Sequence, residues 1–319
     1  MAKYALVGDI GGTNARFALV QSGSTQLQQV RVLACADYSN LDSAVVAYLA
    51  QVGEQVEEAC LAFACPVHAD WIQMTNNHWC FSKAEMQSKL QLRTFKVLND
   101  FTAMALGMPQ VDASGLLQVG GGEGMAGRPR LVIGPGTGLG VSALVPSALG
   151  WIPLAAEGGH VSWPITSEWE LQLWQHLKSL HSRISAERLL SGAGLLLLYQ
   201  AYAALRQQPC HLDSPAKVTE AALAATDQLA VEVLEHFCRV LGEVAGNAAL
   251  TIGTLGGVYI CGGIVPRFPE FFAKSGFRQA FEAKGRMQSY MEAMPVWLVN
   301  AEYPGLLGAA AGLANQAVS

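Results

Sequence analysis

No run of lysines or arginines occurs in this sequence, and its 20 basic residues are outnumbered by 25 acidic ones, for a net charge of −5. Binding a nucleic-acid backbone needs a concentrated basic face, so nucleic acid is excluded as a main partner. The seven cysteines, at 35, 60, 65, 80, 210, 238 and 261, are odd in number and nowhere spaced C-x-x-C. That pattern signals neither a disulfide framework nor a zinc knuckle, and it reads as reduced thiols in a cytoplasmic protein. The G-x-x-x-x-G-K-[ST] loop is missing too, which removes one route to nucleotide binding. The N-terminal apolar run is broken by Asp9 and glycines with no cleavage-like segment behind it, so a signal peptide is not expected. Val244 to Val265 is uncharged, but it carries six glycines with Asn247, Thr251 and Thr254. It divides into a helix end, a turn and a strand, and no membrane segment is expected.

What is present suits a large core: 51% of the 319 residues are hydrophobic and 14% charged, enough for about two domains. The chain is organised around residues 4 to 20, apolar, then small and polar, then apolar again. Tyr4 to Gly8 and Ala15 to Val20 read as strands, and the turn chemistry lies in Gly11-Gly12-Thr13-Asn14. Adjacent glycines let backbone N–H groups approach an anion, Thr13 adds a hydroxyl, and Asp9 at the strand end can hold a hydrated Mg²⁺. An ordinary hairpin, with glycines supplying positive φ and Asp9 capping the turn, is the competing reading.

Strands follow at Val30 to Ala34, Cys60 to Ala64 and Phe95 to Leu98. Helices are expected behind the Ser39/Asn40 cap and the Ser82/Glu85 capping box, and again after Asn99-Asp100. Residues 110 to 130 lose periodicity, become glycine-rich and read as an inter-domain linker. Beyond them the opening pattern recurs: Leu131-Val-Ile, the turn Gly134-Pro-Gly-Thr-Gly-Leu-Gly140, Val141 to Val145, then Trp151 to Leu154. Helices near 168–178, 185–206, 218–250 and 268–283, strands at Val258 to Cys261 and Val296 to Val299, and a helix from about Gly305 complete the chain. The recurrence suggests two related α/β units, each a sheet with helices packed on it.

The second glycine turn is not a dinucleotide fingerprint, because Leu139 stands where the third glycine belongs and a strand follows instead of a helix. It reads as a second phosphate-binding hairpin with Thr137 as hydroxyl donor. Asp100, at a strand end and helix start, is either an N-cap or, beside two phosphate-cradling turns, the general base of a transferase. Glu157-Gly-Gly-His160 brings a carboxylate and an imidazole together around a bend, as a polyhydroxylated ligand requires; a third metal ligand at a usual spacing is lacking. Glu187 adds a carboxylate or simply favours its helix dipole. Gly262-Gly263 is a turn that would also admit a flat adenine.

Taken together, Val7-Gly-Asp-Ile-Gly-Gly-Thr-Asn-Ala-Arg, Leu98-Asn-Asp-Phe-Thr-Ala, Gly134-Pro-Gly-Thr-Gly-Leu-Gly, Glu157-Gly-Gly-His, Ser185-Ala-Glu-Arg-Leu-Leu-Ser-Gly, Cys261-Gly-Gly-Ile-Val-Pro-Arg and Pro304-Gly-Leu-Leu-Gly resemble, in order and end to end, the bacterial glucokinases of the proteobacterial type. The resemblance implies an actin-like (ribonuclease H-like) sugar-kinase fold of two α/β domains around a cleft. The small domain would span 1–110 with the C-terminal helix 301–319 packing back on it, and the large one 111–300. It implies ATP-dependent phosphorylation of the glucose 6-hydroxyl, with Asp100 as base and Asn99, Glu157, His160 and Glu187 on the other hydroxyls. Asp9 would hold Mg²⁺ through water; Gly11, Gly12, Thr13, Gly136, Thr137 and Gly138 would face the ATP phosphates, with Gly8 and Ile10 in the same nucleotide-binding stretch; Gly262 and Gly263 would face the adenosine. A cytoplasmic homodimer is expected. The zinc cluster usual in ROK kinases and repressors does not follow His160. Another hexose or N-acetylhexosamine kinase, or a non-catalytic sugar sensor, remains open on the same fold.

Overall fold

The computed structural model describes residues 3–318. By contact density the chain separates into two compact units, one made of the segment ending at Gly115, 143–155 and the segment from Ala301, the other of 116–142 and 156–300.

The first unit opens with β1 (Tyr4–Ile10), β2 (Asn14–Gln21), β3 (Gln28–Ala34), α1 (Leu41–Val52) and β4 (Val56–Phe63). A small hairpin, β5 (Trp71–Gln73) and β6 (Cys80–Ser82), precedes α2 (Lys83–Lys89), β7 (Thr94–Asn99) and α3 (Asp100–Gly107). Its sheet has the order β3-β2-β1-β4-β7, antiparallel at β3-β2-β1 and parallel at β1-β4-β7. Asn40 closes a full capping box with Ser43 at the start of α1, and Ser82 accepts the Glu85 N–H at the start of α2. Leu6, Ile10, Phe17, Tyr48, Leu61 and Phe63 fill the core beneath.

The second unit opens in the stretch expected to be an inter-domain linker. The glycine-rich 110–130 stretch is not all linker: Leu116–Gly120 forms β8, an edge strand whose identity comes from later pairing rather than local pattern. There follow β9 (Arg130–Pro135), β10 (Leu139–Ser147), β11 (Gly150–Ala156) and α4 (Glu168–Leu180). The expected 185–206 helix is two, α5 (Ala186–Leu189) and α6 (Gly192–Leu205), because Ser191 turns its side chain to cap Gly194 N–H. The 218–250 helix is likewise α7 (Pro215–Leu223) and α8 (Gln228–Ile252), parted where Ala225 takes φ 53° and Asp227 caps the new start. After β12 (Val258–Ile260) the 268–283 helix breaks at Ser275-Gly276 into α9 (Pro269–Lys274) and α10 (Phe277–Glu282). Then come α11 (Gln288–Glu292) and β13 (Val296–Val299).

This sheet runs β11-β10-β9-β12-β13-β8. Numbered from its first hairpin it repeats the 3-2-1-4-5 order of the first sheet, with β8 added antiparallel to β13. Residues 143–155 group with the first unit, where the expectation assigned 111–300 to the second; Asn315 Nδ2 donates to Trp151 O at 2.6 Å and ties β11 to the C-terminal segment.

The last helix, α12 (Pro304–Ala314), packs on α3, β1 and β4. Its glycines make this approach possible, since a Cβ at Gly308 would lie inside the Ala103 carbonyl and one at Gly312 would sit 2.8 Å from Leu98 Cδ1. Lys96 Nζ donates to two carbonyls at its end, Gly312 O at 3.1 Å and Asn315 O at 2.8 Å.

Candidate active site

The residues singled out above fall into one group in each unit. In the first, β1 and β2 present the Gly11–Asn14 turn beside Asp9. Gly11 N–H closes the turn on Asn14 O at 2.9 Å, and among the described residues the N–H groups of Gly12 and Thr13 have no acceptor. None of these glycines has positive φ, so the ordinary-hairpin reading loses its reason for them. Gly12 is bare because a Cβ would meet Asn76 O at 2.8 Å; Gly11 would meet only Asn14 O at 3.5 Å, an ordinary contact. Gly11 therefore has room for a methyl group it does not carry. Gly8 and Ile10 are core positions, with Gly8 closed by Leu61 Cδ2 at 2.7 Å and Ile10 fully buried. Neither offers a side chain to a ligand.

Asn99, not Asp100, is the N-cap of α3. Its Oδ1 accepts from Phe101 N–H at 3.0 Å and Thr102 N–H at 3.2 Å, while its Nδ2 donates to Asp100 Oδ1 at 2.9 Å. Asp100 Oδ1 also accepts the Phe101 N–H at 2.9 Å. Burial is the dominant influence on this carboxyl; with the neighbouring Asp9 charge adding to it and the Phe101 and Asn99 donors opposing, its pKa is raised to about 6. Asp9 is raised as well, by burial, which Arg16 Nη1 at 3.6 Å only partly offsets. Gly305 at the start of α12 closes over it: a Cβ there would lie 2.9 Å from Asp9 Cγ. That packing was legible only as the Pro304-Gly305 motif, without its partner.

The second turn repeats the first. Gly136 N–H closes it on Gly138 O at 2.8 Å, and the Thr137 and Gly138 N–H groups have no acceptor among the described residues. A Cβ at Gly136 would meet only Gly263 N, at 3.8 Å, and one at Gly263 nothing within 4 Å. Gly262 differs: φ is 85° and Pro135 O would stand 2.4 Å from its Cβ, so backbone geometry alone requires glycine. Gly192 N–H, opening α6, donates to Gly136 O at 2.9 Å, a brace that no local sequence signal announces.

Glu157 follows β11, bridged to Val141, and His160 ends a single 3₁₀ turn. His160 Nε2 stands 4.0 Å from Glu157 Oε2 and its Nδ1 3.7 Å from Glu187 Oε1. These side chains are open to solvent at 70% for Glu157, 59% for His160 and 32% for Glu187, so all three can reach a ligand. Glu187 Oε2 accepts the Leu139 N–H at 3.0 Å, a role beyond the helix-dipole placement considered for it.

A sequence model of the glucokinase family matches residues 6–316. The chain belongs to the glucokinase family. It is 57% identical to a glucokinase of Hahella chejuensis over 99% of both chains. It is similar to the crystal structure of a glucokinase from an Antarctic psychrotroph, 34% identical, with TM-score 0.90 over 98% of this chain and 99% of that one. A ROK family glucokinase from Streptomyces griseus, solved with glucose and AMPPNP, shares the fold at 19% identity and TM-score 0.63, over 96% of this chain and 98% of that one. The fold is the actin-like sugar-kinase fold of two α/β domains. No described helix is long and apolar enough to cross a membrane.

Proposed function

We propose that this chain transfers the γ-phosphoryl group of ATP to the 6-hydroxyl of glucose, giving glucose 6-phosphate and ADP. The observation that carries the reading is 57% identity to a glucokinase across 99% of both chains. The pairing of substrates is supported by the Streptomyces griseus relative, which was solved with glucose and AMPPNP.

The chemistry asks for a carboxylate that accepts the hydroxyl proton as the oxygen–phosphorus bond forms and the bond to ADP breaks. Asp100 has the environment for it, since a pKa raised to about 6 leaves it ionised at neutral pH yet more basic than an exposed aspartate. Asn99 holds that carboxylate by its Nδ2. Glu157, His160 and Glu187, with Asn99, take the remaining sugar hydroxyls. The unused N–H groups of Gly12, Thr13, Thr137 and Gly138 take phosphate oxygens, and the open face of Gly263 admits the adenosine.

The residues present fit Mg²⁺ of the kind kinases use. Among the described residues no cluster of three His, Cys, Asp or Glu could cage an ion, and Asp9 is a half-buried carboxylate incompletely neutralised by Arg16. A single carboxylate with water and substrate phosphates is the usual Mg²⁺ set. When bound there, Mg²⁺ would neutralise charge on the phosphates. The seven free cysteines suit a reducing cytoplasm, and a homodimer is part of the proposal, tested by sedimentation velocity.

A panel of hexoses and N-acetylhexosamines assayed with ATP and Mg²⁺ tests the function. Preferred turnover of glucose is expected. Turnover of another sugar in preference, or tight sugar binding without phosphorylation, would replace this reading by the second kinase or the sensor.

A further inference from the structure

In the second unit, two buried carboxyl groups meet at one hydroxyl. Thr166 Oγ1 lies 2.8 Å from Glu170 Oε2 and 2.7 Å from Glu243 Oε1. A threonine hydroxyl has one proton to donate, and ionised carboxylates only accept. Both contacts are hydrogen bonds only if one carboxyl group brings its own proton.

Glu170 does not bring it. Its Oε2 also accepts the N–H groups of Thr166 at 2.7 Å and Ser167 at 3.1 Å, and its Oε1 faces His236 Nε2 at 3.1 Å. Burial by itself would raise this carboxyl, but the His236 and Thr166 donors outweigh it and bring the pKa down to about 2. Glu243 has no such support: it is buried, and its Oε2 has no partner among the described residues. Burial raises it, Glu170 on α4 raises it further, and Thr166, with His236 and Arg239 from its own helix α8, opposes. Lys284, just beyond α10, donates to the Glu243 carbonyl at 3.3 Å, and burial lowers its own pKa. Tyr202 on α6 reaches the cluster through His236 Nδ1, at 2.8 Å.

We propose that Glu243 is a neutral carboxylic acid whose proton is donated to Thr166, and that this bond latches the segment 161–166 in the position that His160 and Glu187 need. The segment is well placed to transmit the latch. It begins at His160, whose carbonyl accepts from Arg183 Nη2 at 2.8 Å. It then runs beside 184–186: Ala186 N–H donates to Val161 O at 2.9 Å, Ser162 bridges Ser185, and Trp163 N–H donates to Ile184 O at 3.3 Å. Glu187 is the next residue of that neighbouring strand of chain. Glu243 is thus a positioning residue, and its role rests on the reading in which His160 and Glu187 hold the sugar.

Loss of the Glu243 proton would leave two buried anions competing for one hydroxyl, so one bond breaks and the charges repel. The latch therefore weakens as pH rises. In the wild-type protein the KM for glucose should rise about three- to tenfold as Glu243 ionises, the worth of one net hydrogen bond, with kcat changing less. Glu243→Gln, whose amide N–H replaces the donor, should hold a pH-independent KM, whereas Glu243→Ala should show the raised value at every pH.

Infrared difference spectra of the full chain, wild type minus Glu243→Gln, read the proton itself and require no activity. A protonated-carboxyl band at neutral pH that shifts in D₂O, together with a KM profile flattened by Glu243→Gln, supports the proposal. Absence of the band, or a KM profile that Glu243→Gln leaves unchanged, overturns it. A wild-type protein that does not phosphorylate glucose would refute the proposed function instead, and the band would still decide the proton.

Discussion

The Glu187 carboxylate accepts the Leu139 N–H at 3.0 Å with one oxygen and faces His160 Nδ1 at 3.7 Å with the other. One side chain on α5 thus braces both the strand leaving the second glycine turn and the imidazole proposed to hold sugar. Glu187→Ala should raise the KM for ATP and for glucose, each by about tenfold, since the second glycine turn loses its hydrogen bond to Leu139 N–H and the imidazole loses its neighbouring carboxylate. Glu187→Gln keeps an acceptor for Leu139 and should disturb glucose more than ATP. Steady-state kinetics with both substrates varied separates the two. Gly138→Ala should reproduce the ATP effect, because its Cβ would displace the Glu187 carboxylate.

The two glycine turns offer a cleaner separation of binding from folding. Gly11 and Gly136 have ordinary φ and room for a Cβ. Gly11→Ala and Gly136→Ala should keep stability to within about 0.5 kcal/mol. Their ATP affinity should nonetheless fall by about tenfold or more, as the methyl group occupies phosphate space. Gly262→Ala should behave oppositely, losing about 1–3 kcal/mol because Ala is strained at its positive φ and meets Pro135 O. Thermal or urea denaturation alongside ATP titration checks all three.

Asp100 gives the pH dependence its sign. As a base it must be ionised, so kcat/KM for glucose should fall about tenfold per pH unit below about pH 6. For stability the sign is reversed. The native carboxyl, at about 6, binds its proton more tightly than the unfolded one near 3.8, so its contribution is full at low pH and is lost as pH rises through about 6. Asp100→Asn should consequently stabilise the fold at neutral pH, by up to about 3 kcal/mol at 1.36 kcal/mol per pK unit. Urea unfolding across about pH 3.5 to 8 tests it: the gain should be near zero at the acid end, about half developed at pH 5 and complete at pH 8.

Gly305 keeps a methyl group away from Asp9. Gly305→Ala should push the Asp9 carboxylate aside and raise the Mg²⁺ concentration for half-maximal activity by about tenfold or more. An unchanged Mg²⁺ requirement would remove Asp9 from the proposed metal site.

Much of this arrangement was legible where local chemistry decides structure. The apolar strands around Gly11-Gly12 and Gly134 to Gly140 announce two hairpins, and the Ser39/Asn40 cap, the Ser82/Glu85 pair and the Asn99-Asp100 dipeptide announce their helices. The rest depends on partners distant in sequence. β8 is a strand only because β13 pairs with it, and Gly262 differs from Gly263 by a positive φ and by the Pro135 carbonyl that lies against it. Asp100 resembled an N-cap from sequence because only the structure shows Asn99 taking both N–H groups. The breaks at Ser191, Asp227 and Gly276 arise where side-chain caps or tertiary contacts outweigh continuous helical patterning. The Thr166, Glu170 and Glu243 cluster gathers residues 77 positions apart, beyond any local signal.

The most direct test of the account is single-turnover transfer from ATP to glucose by wild type and Asp100→Asn, with glucose binding measured on the same samples. Formation of glucose 6-phosphate by wild type, slowed by about 10² or more in Asp100→Asn while glucose affinity is largely kept, is the predicted result. Transfer by Asp100→Asn within a few-fold of wild type would contradict the assignment of the base, and absence of glucose 6-phosphate with the wild-type protein would contradict the function.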